Sequence, residues 1–439
     1  MLESKRVVIL GGGLTGLTAA YKRKKILEAG SVVLLEKTGS IGGTAQTIQE
    51  GEYSFDLTGH ALHLNRDESK NFIFKELGLK DRLDKVVRLA YIYIDGSCVP
   101  YPFQYNLAYL NDKLRDYCVT EFLKSHFVKD SPPARESFQQ YCNRNFGKGI
   151  SDLFMLPYNE KLWSIDLSQI SIDWMGEYVP GPDYQKVLEV AYIKKNIDNS
   201  GYNATFYYPN TGGIQILSDA IYEHVKESVY LNYPATKIDI ENKIVYSDDR
   251  SFKYQYLLST IPLPTLLRMS DLHGYAEKLK HNVTRAFFVA LPSSDAPKCS
   301  WIYIPDASKK TYRIGNFSWF SSSLIVNGKD VLYIETSAVH DRMEHLPTFE
   351  EMLSELEELS LLNTDSIELI KTVDIEPSYV TYDLHWRDNI SYITKKLRSY
   401  NIFLAGRYGS WKYDSMEGAI IDGIATADLI NNLINGNQD

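Results

Sequence analysis

"VVILGGGLTGLTAA" (residues 7–20) sets a β-branched apolar run against three consecutive glycines and then against a segment of helix formers. Gly11, Gly13 and Gly16 form G-x-G-x-x-G between strand and helix. There the first glycine permits the tight turn, the second lets the backbone approach a pyrophosphate, and the third lets helix and strand pack closely. The start of the helix offers unpaired N–H groups and about half a positive charge to an anion. The helix is expected over 14–29. "SVVLLEK" (31–37) follows as a second strand, continuously apolar as a parallel sheet covered on both faces requires. It ends at Glu36, 20 residues beyond Gly16, where a carboxylate can accept from the ribose hydroxyls of an adenosine without a 2′-phosphate. The unit is βαβ.

Outward from it, residues 71–202 read as mostly helical and rich in aromatics, an insertion. The chain returns to sheet with a hairpin at 236–247 turning at Asn242, and with "YQYLLSTIPLP" (254–264), a buried strand stopped by prolines. "RAFFVAL", "SWIYIP", "TYRIGNF" and "DVLYIETS" are further strands between 283 and 337. "FEEMLSELEEL" (349–359) is an amphipathic helix with Met352, Leu353, Leu356 and Leu359 inward. "NIFLAGR" (401–407) is a strand, and 416–433 a closing helix. The fold class expected is α/β. A Rossmann-like nucleotide-binding domain (1–70, 205–262 and 398–439) carries an inserted helical domain (71–204) and an antiparallel β-sheet domain with a helix (263–397).

The 439 residues are 44% hydrophobic and carry 47 basic against 56 acidic side chains, a net charge of −9. That balance, with no basic block beyond Lys22–Lys25, gives no electrostatic footprint for nucleic acid. Cys98, Cys118, Cys142 and Cys299 form no C-x-x-C pair, so they read as buried thiols in a reducing compartment. No apolar run approaches the roughly 20 residues of a membrane span, and the N-terminus lacks a signal-peptide pattern. A cytoplasmic protein without membrane insertion is expected. His60 and His63 in "TGHALH" lack a third ligand nearby and are not read as a metal pair. No G-x-S-x-G elbow or phosphate-binding P-loop is present.

Gly42 and Gly43 follow Glu36 after five residues, in "EKTGSIGGTAQT". This turn resembles the glutathione-reductase-type FAD proteins of the amine-oxidase and protoporphyrinogen-oxidase kind, which points to FAD rather than NAD. A closer resemblance spans most of the chain. "TGHALH" (58–63), "VPYPFQYN" (99–106), "PYNEKLW" (157–163), "YNATFYYPNTGGI" (202–214), "WIYIP" with "TYRIGNFS" (301–318) and "GRYGSWKYDSMEGAI" (406–420) resemble the segments of the UDP-galactopyranose mutase family, particularly its eukaryotic type.

The resemblance implies that His60 lies against the flavin and that Tyr101 and Gln104 meet the nucleotide end of a nucleoside-diphosphate sugar. Asn159, Trp163, Tyr178 and Asn203 would share that pocket. Arg313, the residue it makes catalytic together with His60, would hold the diphosphate with Tyr303, Tyr413 and Tyr392. The cofactor set implied is Gly11, Gly13, Thr15, Gly16, Glu36, Lys37, Gly42, Gly43, Thr44, Gly59, His60, Gly406, Arg407, Met416 and Glu417. The chemistry implied is pyranose–furanose interconversion through a covalent bond between reduced flavin N5 and the sugar, without net redox and with NAD(P)H as external reductant. In "WMGEYV" (174–179) Tyr178 stands where the family has one of two diphosphate arginines. One charged hydrogen bond is worth roughly 1.5–3 kcal/mol, so the sugar and the base stay open, as does the oligomeric state. The alternatives are an FAD-dependent oxidoreductase of the amine-oxidase or protoporphyrinogen-oxidase type, and a flavin-binding protein without activity.

Overall fold

The computed structural model describes residues 2–24, 30–128, 131–176, 179, 181–194 and 204–436, with the side chain of Lys24 outside that description. The strand Leu2–Leu10 changes character midway, its first half alternating with solvent and Val7–Leu10 fully buried. It is buried there because it pairs in parallel on both sides, with Val32–Leu35 and with Ser251–Ser259. Ile402–Leu404 adds in parallel to the far end of Ser251–Ser259, and the hairpin Lys237–Asp239/Ile244–Tyr246 adds antiparallel to its beginning. Val229–Tyr230 completes this seven-stranded sheet at the other edge. The helix Leu14–Lys24 leaves the first strand through the glycine turn, and the closing helix Met416–Gly436 lies against it, Gly423 passing close to Thr15 and Thr18. The rest of the helix expected to residue 29 lies outside the described residues.

A second seven-stranded sheet contains Asn282–Pro292, Lys329–Val339, Arg313–Asn316 and Trp301–Tyr303, with Glu368–Ile375 at one edge. Its far edge corrects the sequence reading. Residues 83–100 are strands rather than part of a helical insertion. Ala90–Ile94 and Ser97–Pro100 join this sheet, and Leu83–Val87 pairs with Thr205–Pro209. Trp301–Tyr303 runs parallel to Ala90–Ile94, so the sheet is not wholly antiparallel. After the helical segment Asn71–Glu76, the longer helices of the insertion are Asp112–Phe127, Phe138–Ile150 and Leu156–Trp163. Ser137 and Gln140 form a capping box that starts the second of these. The amphipathic helix Phe349–Leu359 covers the sheet's other face through Met352 and Leu356, as its pattern predicts. Cys118, Cys142 and Cys299 are buried, whereas Cys98 is exposed. No helix among the described residues is long and apolar enough to cross a membrane.

Candidate active site

A cavity of about 1080 Å³ runs from the glycine turn of the first sheet to the face of the second. Its first half is built from backbone. Gly42 donates its N–H to the Gly12 carbonyl at 2.8 Å, and Gly13 bridges to Gly42, so two loops close on one another at the start of the helix. Glu36 is locked in place: one carboxylate oxygen accepts from the Gly12 N–H at 2.7 Å, the other from the N–H and hydroxyl of Thr38 at 2.9 and 2.8 Å. The oxygen facing Gly12 keeps one lone-pair site for a ribose hydroxyl.

The glycines separate packing from ligand space. A Cβ on Gly16 would lie 2.0 Å from the Gly11 carbonyl oxygen, so close approach of helix and turn requires glycine there. On Gly13 a Cβ would meet nothing nearer than 3.8 Å. The protein leaves that space beside the helix N-terminus, where an FAD pyrophosphate would be bound. Gly406 closes the same corner from the C-terminal segment, its N–H donating to Asp422 at 3.0 Å and its Cα packed against Thr15, whose hydroxyl donates to the Ala419 carbonyl. These residues fit FAD.

The second half is side chains. Strand register sets Arg313 opposite Glu335, and the Arg313 Nε donates to Glu335 Oε2 at 2.5 Å. Burial works against the arginine's charge, but Glu335 holds its pKa well above the ordinary value. Its two terminal nitrogens find no hydrogen-bond acceptor among the described residues, and the side chain lines the cavity. Tyr312, Tyr333 and Tyr379 line it too, with no hydrogen-bond partner for their hydroxyls among the described residues. A Cβ on Gly59 would strike the Tyr333 hydroxyl at 2.1 Å, so glycine at that position is what lets this ring pass. Tyr303 stands beside Tyr101 and edge-on to Tyr158, its hydroxyl pushed up to about 12 by burial.

His60 Nδ1 lies 2.9 Å from the Thr58 carbonyl and therefore carries the proton in the neutral ring, leaving Nε2 an acceptor. Burial lowers its pKa to about 4, against the Thr58 hydrogen bond and reinforced by Arg407 and Arg313. Arg407 donates to the carbonyls of Asp414 and Ser378 at 2.9 and 3.0 Å and packs on Tyr379 and Tyr413.

The structure gathers most of the residues expected of the site. Gly11, Gly13, Thr15, Glu36, Lys37, Gly42, Gly43, Thr44, Gly59, His60, Tyr303, Arg313, Gly406, Arg407, Tyr413 and Met416 line the cavity. Five do not reach it directly: Gly16 packs against the Gly11 carbonyl, Tyr101 and Trp163 pack against Tyr303 and Tyr413, Gln104 lies half-buried nearby in sequence, and Asn159 donates to the Met155 carbonyl one turn back. Two expectations are corrected. Glu417 points away from the cavity, where one oxygen accepts from the N–H groups of Asn65 and Arg66 and from the Ser69 hydroxyl, tying the closing helix to that turn. Tyr392 is 56% exposed on the outer face of the helix Trp386–Arg398, stacked on Tyr275. Tyr178 and Asn203 lie outside the described residues.

Sequence reasoning missed Arg88, His63 as a cavity residue, Glu335, Tyr333, Ser378 and Tyr379. Glu335 carried a signal, an acid directly after the apolar run "VLYI" (331–334) within one strand. Among the described residues no group of three His, Cys, Asp or Glu side chains could hold a metal.

Cradle, acid and cavity define a flavoprotein with a dinucleotide-binding domain facing a substrate sheet. The sequence matches the family described as flavin containing amine oxidoreductase over residues 14–334, and the chain belongs to that family. "Probable flavin-containing monoamine oxidase A" of Dictyostelium discoideum is 26% identical over 279 residues, 59% of this chain. The chain spans 58% of that relative's length. The crystal structure of a reduced UDP-galactopyranose mutase superposes with a TM-score of 0.89 at 25% identity, covering 98% of this chain and 96% of that one. Wild-type putrescine oxidase bound to putrescine shares the fold at a TM-score of 0.66 and 18% identity, over 98% of this chain and all of that one.

Proposed function

We propose that the protein is a flavin-dependent mutase that interconverts the pyranose and furanose forms of a nucleoside-diphosphate sugar, UDP-galactose or a relative. One observation carries the reading: Arg313, whose two terminal nitrogens have no acceptor among the described residues, lines the cavity that continues into the FAD cradle together with tyrosines whose hydroxyls have no partner there either. Donors of this kind suit a diphosphate, whose charge grows as it leaves the sugar. The likeness to a reduced UDP-galactopyranose mutase over nearly the whole chain supports it.

Reduced FAD, when bound and primed by NAD(P)H, would supply the nucleophile for the anomeric carbon, a role no side chain of the cavity needs to fill. The chain's residues do the rest. As the bond between the anomeric carbon and the diphosphate oxygen breaks, its electron pair goes to the diphosphate, which Arg313 and the tyrosines retain. The same group returns when that bond re-forms, and electrons balance without an acceptor. Neutral His60 adds no charge beside the flavin and offers Nε2 as an acceptor. The aromatic wall of half-buried Tyr303 and buried Tyr312 and Tyr333 keeps water from the opened sugar.

The second reading is an FAD-dependent oxidoreductase, favoured by the oxidase named among the relatives. Anaerobic incubation with UDP-galactopyranose, with and without dithionite, followed by chromatography, separates the two. Furanose formed only by the reduced protein supports the mutase. Turnover only by oxidised protein with an electron acceptor eliminates it.

A further inference from the structure

We infer that Glu335 is a positioning residue of the anion site. It fixes the guanidinium of Arg313 by its Nε edge and offsets that charge, so that a diphosphate is held without being trapped. Only the naming of the anion rests on the mutase reading above. Three observations lead there. The strand register places the two residues directly opposite, so their contact is set by backbone and not by side-chain choice. The bond uses Nε rather than a terminal nitrogen, which leaves both terminal nitrogens of this cavity-lining side chain without an acceptor among the described residues. Glu335 is only 1% exposed, and its second oxygen has no hydrogen-bond donor among the described residues, so Arg313 is the group that compensates its charge.

An anion in the cavity therefore meets an arginine already half-neutralised, and attraction and repulsion reach it from charges one side chain apart. In a low-dielectric site a carboxylate that close weakens an anion's hold by an order of magnitude or more. For a leaving group that must also return and finally depart, that moderation sets its residence time.

The test uses the FAD-loaded protein, with Glu335→Gln and Glu335→Ala, titrated calorimetrically with uridine diphosphate and with inorganic pyrophosphate at two salt concentrations. The glutamine keeps an acceptor for Nε and removes the charge. Both probes are expected to bind it at least fivefold more tightly than the native protein, with a steeper salt dependence. If it turns over, KM and kcat fall together. The alanine loses the tether and binds at least tenfold more weakly than the glutamine, and thermal unfolding checks that both variants are folded. Equal binding by the two variants, or glutamine within twofold of native, overturns the inference, as does failure of pyrophosphate to bind native and glutamine proteins alike. Pyrophosphate tightened by the glutamine, with uridine diphosphate bound no better than pyrophosphate and no furanose formed, leaves the anion site standing and removes the nucleotide-sugar reading.

Discussion

Replacement of Arg313 by alanine separates binding from stability in a way the geometry makes quantitative. The ligand side loses two charge-assisted donors, each worth roughly 1.5–3 kcal/mol. Desolvation of the guanidinium by the ligand returns part of this, so about 3 kcal/mol is expected, or roughly a hundredfold in Kd at 1.4 kcal/mol per decade. The protein side loses the group that compensates a carboxylate with 1% exposure and one oxygen unpartnered among the described residues. Leaving a buried charge alone costs about 3–5 kcal/mol. Arg313→Ala should therefore both unfold earlier and bind uridine diphosphate about a hundredfold more weakly. The double variant Arg313→Met with Glu335→Met removes the stranded charge and should recover most of the stability while binding stays lost. Binding is read by calorimetry on the flavin-loaded proteins and stability by urea unfolding. Uridine diphosphate binding by Arg313→Ala within threefold of native would show that the diphosphate does not sit at this arginine.

The other perturbations test the cradle, the core and the charge balance. Gly13→Ala should fold normally, its Cβ 3.8 Å from the nearest atom, yet purify largely without flavin absorbance near the visible maximum of FAD. Gly16→Ala should instead lose stability by about 2 kcal/mol or more, since its Cβ must displace the Gly11 carbonyl; equal flavin loss with equal stability in both would undo the distinction. Arg23 is fully buried, with Nε and one terminal nitrogen unpartnered among the described residues and its pKa lowered to about 10, chiefly by burial. Arg23→Met should leave the protein as stable or more stable by about 1 kcal/mol, and a Tm lowered by several degrees would contradict this. Burial raises the Asp56 carboxyl to about 6, against hydrogen bonds from Tyr208, Thr47 and Ile214. The folded state binds that proton more tightly than the unfolded one, so the stability it contributes is present below pH 3.8 and lost as pH rises towards 6. Relative to native, Asp56→Asn should gain about 2–3 kcal/mol between pH 4 and 7 in urea unfolding; a pH-independent difference would show that Asp56 does not titrate in that window.

The flavin half of the site is legible in the sequence because its demands are local and backbone-made. A glycine that must clear a carbonyl 2.0 Å away, or an acid at the end of a buried strand, stands at a fixed offset from its neighbours. The substrate half is set across strands. Glu335 has no local partner, and Arg313 lies 22 residues earlier on the adjacent strand. The strands at 83–100 were recoverable: Asp95 and Gly96, both at positive φ, form a two-residue turn between alternating runs, a hairpin signal outweighed by the helical reading of their surroundings. Tyr392 and Glu417 show the opposite failure. A residue aligned by its neighbours can still fall on the wrong face of a helix, since one position turns a side chain by about 100°.

The shared fold also explains why relatives named for oxidation and a mutase can resemble the same chain. Closing two loops over a helix N-terminus binds FAD in any state, and nothing in Gly13, Glu36 or Gly42 distinguishes an electron carrier from a nucleophile. Distinction must come from what faces the flavin. Across the cavity from the cradle lies the strand pair Arg313–Asn316 and Lys329–Val339, which supplies a guanidinium, its carboxylate and Tyr333 from neighbouring positions. The lining carries Glu335, Asp374 and Asp414 beside Arg313 and Arg407, so its charge by itself selects neither a cation nor an anion; the hydrogen-bond donors left over on Arg313 and the tyrosines are what an anion would use. The chemistry is thus argued from two strands of the second sheet, and the glycine turn of the first leaves it open.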